Sequence, residues 1–487
     1  MDFTTPTILV ALITGLTLTT GFHVIYKRCA HERGFVTLAP WLRKAIDTLR
    51  TPQMAITALG CLLITVGYLT GWLTAETGVL LGNTFATPSW VMRKMARRLT
   101  NNCVFTGTVM RDYDDQYKQR GVKKGDTITL RLPQRYQVTV GKLMNPTVLT
   151  DQTVALSITD QTNIGFEYDS WSATLYVDDY MERYGNSAVD QLINNIDYTG
   201  LDRMYKATAK VVGTPGTVPT ANATYTLAKT KLVEAAVPRP YNAVLTADMH
   251  GQIAATNQAS FNPSAQISAF FREGQFSGKA LGIDRWFEDE NCPTHTVGAL
   301  GGTPLVNGAV SSGSSVVLDG ASNSITNWIR EGDVVQFGTV EDINPLSHQS
   351  TNRNKDWVVT EDADSSGAGA VTILVSPAII PSGAFQNCDN GPADGDIVTI
   401  FGSATAYAAA TTRQGLVYHK EAYACVMADL VLPKGLWVAE RISNAKLGIS
   451  IRMLKDHDVL SDESPARLDT AHGWGAIRQE LACRVCS

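Results

Sequence analysis

The chain has 487 residues, 44% of them apolar and 18% charged, with 41 basic against 46 acidic side chains and a formal net charge of -5 at pH 7. That length suits two to four domains with large cores. The charge balance argues against nucleic-acid binding over the whole surface while leaving room for a local basic patch.

Two uncharged runs of 20 residues open the chain, Thr7 to Tyr26 and Met54 to Leu73, each long enough to cross a bilayer. Between them lie Lys27, Arg28, Arg33, Arg43, Lys44 and Arg50 against Glu32 and Asp47. That excess reads as a two-helix hydrophobic hairpin with its loop in the cytoplasm, which would export everything after it. With Asp2 and no positive charge ahead of the first run, a cleavable signal peptide is not expected.

From Gly82 the composition turns soluble. Trp90, Met95 and Leu99 oppose Arg93, Lys94, Arg97 and Arg98 in a short amphipathic stretch; the basic face suits an acidic partner or nucleic acid as well as plain solvation. "DTITLRLPQRYQVTV" alternates with period two, and "TVALSIT", "IGFEYDS" and "SATLYV" continue the strand signals as a long hairpin or small antiparallel sheet. Beyond Asp178 the period becomes helical: Met181, Tyr184, Ala188, Leu192 and Ile196 step by three and four, with Val189 and Ile193 beside them. The pattern resumes after Gly185 and Asn186 and runs through "GLDRMYKATAKVV", predicting one long helix with one apolar stripe.

"YTLAKTKLVEAA" predicts a second helix, and "YNAVLTADMHGQIAATNQ" a buried strand running into a third, capped by Thr246 or Asp248. Glu288 to Glu290 reads as an acidic surface turn. From Gly298 to Gly402 the chain is rich in Gly, Ser, Ala, Asp and Val. "SSVVLDG", "GDVVQFG", "DWVVTED", "AVTILVSP" and "DIVTIFG", separated by turn clusters, predict a small β-barrel inserted into α/β sequence. The tail adds "GLVYH", "GLWVAERI" and "KLGISIRML" as strands.

Tyr176-Val177-Asp178-Asp179 matches a polymerase-like Tyr-x-Asp-Asp. Two-metal chemistry needs a returning strand and a further aspartate upstream, whereas a helix follows here. Asp178 and Asp179 are therefore read as a helix cap that also complements the helix dipole. Gly274 and Gly278 are separated by three residues where a phosphate-binding loop needs four, and Ala280 stands where its Ser or Thr belongs. Cys29, Cys61, Cys103, Cys292, Cys388, Cys425, Cys483 and Cys486 are scattered, which suits a reducing compartment. Cys483 and Cys486 have no second pair, and in a strand they point to opposite faces, which argues against zinc. No catalytic group, metal site or cofactor is expected.

Three stretches taken in order carry a resemblance. They are "FFREGQFSGKALGIDRWFEDENCPTHTVG", the Gly-rich insertion with "REGDVVQFGTVEDINPLSHQSTNRNKDWVVTED" and "GAVTILVSPAII", and the ending "RLDTAHGWGAIRQELACRV". Together they resemble the major capsid (coat) proteins of tailed double-stranded-DNA bacteriophages, in the branch typified by the P-twenty-two coat protein, over residues 83 to 487. The resemblance implies an α+β fold of the HK-ninety-seven type. It places an N-terminal arm at 82–125, an extended β-hairpin at 126–177, a peripheral-domain spine helix at 178–225 and an axial domain at 226–297. The inserted β-barrel falls at 298–403, and 404–487 returns through the axial and peripheral domains.

It further implies a non-enzymatic subunit that assembles with itself into the hexamers and pentamers of an icosahedral shell. Scaffolding protein, portal protein and non-specifically held packaged DNA are the other implied partners, with assembly in the host cytoplasm and residence in the virion. Arg93, Lys94, Arg97 and Arg98 are candidates for an inner-surface contact with scaffold or DNA, on their charge and not on a family motif. Residues 1–81 depart from the family pattern and are expected to be missing from the mature coat, with Val79 a candidate start. A membrane contact is expected only if residues 1–78 are retained. The alternative is a membrane-anchored protein with a large exported β-rich binding domain.

Overall fold

The computed structural model describes residues 104–111, 127–136, 138, 141–142, 151–169, 180–257, 279–402, 408–444 and 449–487. The two hydrophobic runs lie outside them. Among the described residues no helix is long and apolar enough to cross a membrane. What they form is a mixed α+β fold with few helices and many strands.

The first element is a single helical turn, α1 (Phe105–Thr108). Strands β1 (Thr127–Arg131) and β2 (Thr153–Ser157) pair antiparallel, and Ile128 and Leu130 are buried while Thr127, Thr129 and Arg131 are exposed, as period-two alternation requires. Strand β3 (Asp160–Asp169) does not extend that ribbon. It lies along a strand near the C-terminus, β20 below, over ten residue pairs, so the local hairpin expected across 126–177 breaks at β3. Sequence neighbours pair by default, and a long apolar partner elsewhere overrides that preference.

Helix α2 (Tyr180–Lys206) has 27 residues, about 40 Å of rise. Val189, Leu192, Ile193, Ile196, Leu201 and Met204 form its buried stripe. At Gly200 an added Cβ would lie 2.5 Å from the Trp474 ring, so the indole packs directly on the helix backbone. The helix stops at Lys206, and "AKVV" is not helical as expected: Val211–Gly213 form strand β4, parallel to the last strand, β21 below. Two adjacent valines favour the extended form, and the ladder supplies partners for their backbone.

Helix α3 (Asn222–Glu234) buries Tyr225, Ala228 and Leu232 at helical spacing. Strand β5 (Tyr241–Leu245) is buried throughout and leads into α4 (Ala247–Asn257). Of the two expected caps, Thr246 serves: its Oγ1 accepts the N–H of Met249 at 3.3 Å. Strands β6 (Arg285–Glu288) and β7 (Thr294–Thr296) follow. Asp289 between them is buried, against the expectation of a surface turn; its N–H donates to Leu245 O at 3.0 Å.

The Gly-rich stretch contains no helix. Its strands are β8 (Gly302–Val306), β9 (Gly313–Ala321), β10 (Val334–Phe337), β11 (Glu341–Ile343), β12 (Ser350–Asn354), β13 (Trp357–Val359), β14 (Val371–Ile379) and β15 (Val398–Ile400). Six of them form one antiparallel sheet in the order β15-β10-β13-β14-β9-β8, and β11 pairs β12 separately. The two edges of the sheet meet: Leu305 bridges Ile397, and the N–H of Val306 donates to Asp396 O at 2.9 Å. Inside it Trp328, Phe337 and Trp357 are fully buried with Val316, Leu318 and Ile373.

Next come β16 (Thr411–His419), β17 (Tyr423–Ala428), β18 (Val438–Asn444), β19 (Ile449–Lys455), β20 (Glu463–Ala476) and β21 (Ala482–Cys486). The main mixed sheet runs β4-β21-β16-β5-β6. β7 pairs with the start of β16, so the strands on either side of the Gly-rich sheet are joined at its base. A second sheet has β20 flanked by β3, β17 and β19, with β18 at its edge. Both sheets and α2 to α4 share one core, separate from that of the Gly-rich sheet.

Candidate functional site: a polar seam and an aromatic anchor

Arg93, Lys94, Arg97 and Arg98, and the proposed caps Asp178 and Asp179, lie outside the described residues. Two arrangements that the sequence did not single out carry the architecture instead.

The first is the seam between the two cores. Asp356, at the start of β13, reaches out of the Gly-rich sheet into the body, where Lys231 Nζ on α3 approaches its Oδ2 at 2.5 Å. The same lysine donates to Val211 O at 3.0 Å, and Gln336 Nε2 donates to the other Asp356 oxygen at 2.5 Å. Burial opposes the charge on Lys231, but the Asp356 carboxylate wins and holds its pKa above the usual lysine value. Lys210 is pushed the other way, down, because burial outweighs Asp342; its ammonium donates to the carbonyls of Lys231 and Glu480. Further out, Arg353 pairs with Glu234 at 3.0 Å and Lys206 with Glu331 at 3.5 Å. At the base, His295 Nε2 meets Asp333 Oδ1 at 2.8 Å, and the other Asp333 oxygen accepts the N–H groups of Gly298 and Arg330. Apolar contacts hold each core, a small cluster of Val211, Val334 and Cys486 with Phe401 crosses the seam, and the paired charges add to the junction.

The second arrangement ties α1 to the body. The Phe105 ring stacks on Trp474 at 5.2 Å and meets Tyr418 and Tyr423 at 5.6 and 5.9 Å. Asp197, on the buried side of α2, accepts the N–H groups of Val104 and Thr106 at 3.0 and 3.1 Å and the Thr106 hydroxyl. One carboxylate thereby caps a helical turn about ninety residues away in sequence. Met110 continues the attachment, exchanging backbone hydrogen bonds with Tyr423 and Cys425 of β17. A trace of Asp197 was available in sequence, since it interrupts the apolar stripe between Ile193 and Leu201. No local pattern marks Asp356 or Lys231.

Burial raises the Asp197 pKa to about 7; the Thr106 donors offset this in part and Asp289 adds to it. The folded chain therefore keeps a proton that the unfolded chain releases near pH 3.8, so this group's contribution to stability falls as pH rises from about 4 to about 7. Between pH 5 and pH 8, the thermal midpoint of the wild type is expected to fall relative to that of Asp197→Asn. Parallel curves for the two proteins would refute the assignment.

The remaining chemistry-bearing groups are packed away. Cys292 and Cys483 are buried, and desolvation pushes both thiols up, Cys483 to about 12. Cys483 belongs to the main core and Cys486 to a separate small cluster, on opposite faces of β21. Among the described residues no group of three His, Cys, Asp or Glu is placed to hold a metal ion.

A family model described as "P22 coat protein - gene protein 5" matches residues 83–483. The chain belongs to that coat protein family. It is a bacteriophage major capsid protein, of a family whose role is structural. The match begins beside Gly82, where the composition changes. The coat chain is similar to solved structures of Mycobacterium phage Che8 (TM-score 0.42, 13% identity, covering 79% of this chain and 91% of that one). It is similar also to the capsid of cyanophage P-SCSP1u (0.38, 10%, 83% and 92%) and to the mature capsid of bacteriophage PhiM1 (0.38, 10%, 74% and 82%). No curated protein matches the chain.

Proposed function

We propose that this coat protein follows the HK-ninety-seven plan and builds the hexamers and pentamers of an icosahedral shell through preformed apolar tips on its second sheet. Val431, Trp437, Val459 and Leu460 lie on two loops at the ends of β18, β19 and β20, and Leu460 is 97% and Trp437 64% exposed. The Trp437 ring is packed under a cation, with Lys455 Nζ 4.2 Å from it, and the backbone that carries Leu460 is fixed by its N–H donating to Asp458 at 3.0 Å. A large apolar group presented rigidly to water marks a contact surface. This is the observation that carries the reading.

The remaining assignments follow the same plan. The pairing of β1 with β2 supports an extended hairpin within 126–177, and α2 supports a spine helix within 178–225. The bridge of Leu305 to Ile397 supports a closed barrel at 298–403. The arm is 82–125, with Arg93, Lys94, Arg97 and Arg98 facing scaffolding protein or DNA; 226–297 is the axial domain, and 404–487 returns through it. Portal protein and non-specifically held packaged DNA complete the partners. Assembly takes place in the host cytoplasm, and residues 1–81 are absent from the mature coat. The proposal is tested by sedimenting phage-infected lysates carrying the double substitution Trp437→Asp and Leu460→Asp. Soluble subunits with a thermal midpoint within a few degrees of wild type are expected in place of shells. Shells forming at the wild-type rate would defeat the proposal.

A further inference from the structure

His472, on β20, is fully buried, and neither of its ring nitrogens has a hydrogen-bond partner. Opposite it on β3 stands Asp160, whose Oδ2 lies 3.9 Å from His472 Nε2, beyond hydrogen-bond reach, and is itself buried and unpartnered. The Thr162 hydroxyl, two residues along the same face of β3, is a third buried group without a partner. The other Asp160 oxygen accepts from Arg203 on α2 at 2.9 Å. Among the described residues, Asp160 and Arg203 are the charges that act on the ring. β17 sets Met427 opposite it, and β2 passes over the neighbouring Gly473 with the Ser157 carbonyl, so neither strand adds a charge. Asp469, three residues away on β20, points to the other face and is held by Arg452.

We infer that His472 is an acid-sensitive latch on β3: the neutral ring lets β3 lie along β20, and the protonated ring favours its release. A buried polar side chain with no hydrogen bond is costly, and an apolar residue would fill the same space without that cost. Histidine differs in changing its charge near neutral pH. β3 is the element able to respond. Among the described residues it pairs with β20 alone, and its apolar side chains Ile164 and Phe166 are only partly buried. Protonation in place would put a second cation beside Arg203 with one carboxylate between them, whereas release exposes the ring to water. Burial pulls the His472 pKa below 6.5; Asp160 opposes the shift and Arg203 adds to it. A chain with β3 released therefore binds the proton more readily. The attachment is complete above about pH 6.5 and weakens as pH falls below it. That sign is opposite to the one for Asp197, so the readout must be local to β3.

The test is amide hydrogen exchange of the full chain at about pH 7.5 and about pH 5.5, with labelling times scaled for the chemical exchange rate. Relative to α3, peptides from β3 should lose about 3- to 10-fold in protection at the lower pH in the wild type. His472→Gln, polar but uncharged at both values, should show no such loss. Exchange of the imidazole C2 hydrogen, followed across the same range in the wild type, reports the ring's own titration and should place His472 below 6.5. If His472→Gln does not fold, that titration and the wild-type β3 exchange decide together. An equal loss over β3 in wild type and His472→Gln would overturn the latch. So would a His472 midpoint at or above 6.5, or a loss shared equally by α3.

Discussion

Replacing Asp356 with alanine is expected to destabilise the coat subunit by about 3–5 kcal/mol, because it strands the Lys231 ammonium in the seam with no counter-charge. The Asp356 side chain is 3% exposed and that of Lys231 15%, so water cannot take over the lost contact cheaply. The loss should appear in denaturant unfolding as a lower midpoint. Replacing both partners at once, Asp356→Leu with Lys231→Met, should cost much less than the single change, since no charge is then left unpaired. Additive costs in the double variant would mean that the pair does not act as a unit. The comparison separates the ion pair from ordinary loss of packing, which would make the double change the worse of the two.

Phe105→Ala should be the next most damaging change, at about 3–5 kcal/mol, from lost apolar burial and the cavity left among Trp474, Tyr418 and Tyr423. The ring is fully buried, yet it belongs to a helical turn of only four residues that has little stability of its own. Removing it should therefore release α1 before the rest of the fold responds. Limited proteolysis is expected to cut near Thr108 to Met110 in the variant at protease levels that leave the wild type intact. Phe105→Leu should restore most of the protection. An unchanged cleavage pattern in Phe105→Ala would show that Asp197 and the Met110 bridge hold the segment unaided.

The two sites differ in how they respond to conditions. The aromatic anchor is apolar and insensitive to salt, whereas the outer seam pairs, Arg353 with Glu234 and Lys206 with Glu331, are partly exposed and weaken as ionic strength rises. The inner pair of Lys231 and Asp356 is shielded from that screening. Salt should loosen the rim of the junction while its centre holds.

Much of this fold was legible in the sequence where the signal is local. The stripe from Val189 to Met204 specifies α2 because a helix must bury one face. Tyr241–Leu245 followed by Thr246 specifies a buried strand, its cap and a helix within a few residues. The five strand signals of the Gly-rich stretch each became a strand, since alternation and turn residues act over short range. Tertiary structure alone decided the rest. Ala209–Val212 has a helical pattern upstream, but β21 offers Val211 and Val212 a ladder, and that partner lies about 270 residues further along the chain. β3 leaves its neighbours for β20, Lys231 meets Asp356 across 125 residues, and Asp197 caps a turn 91 residues before it. Periodicity records which face of an element is apolar and carries nothing about which distant element will cover it. A buried charge is stable only beside the partner that the completed fold delivers.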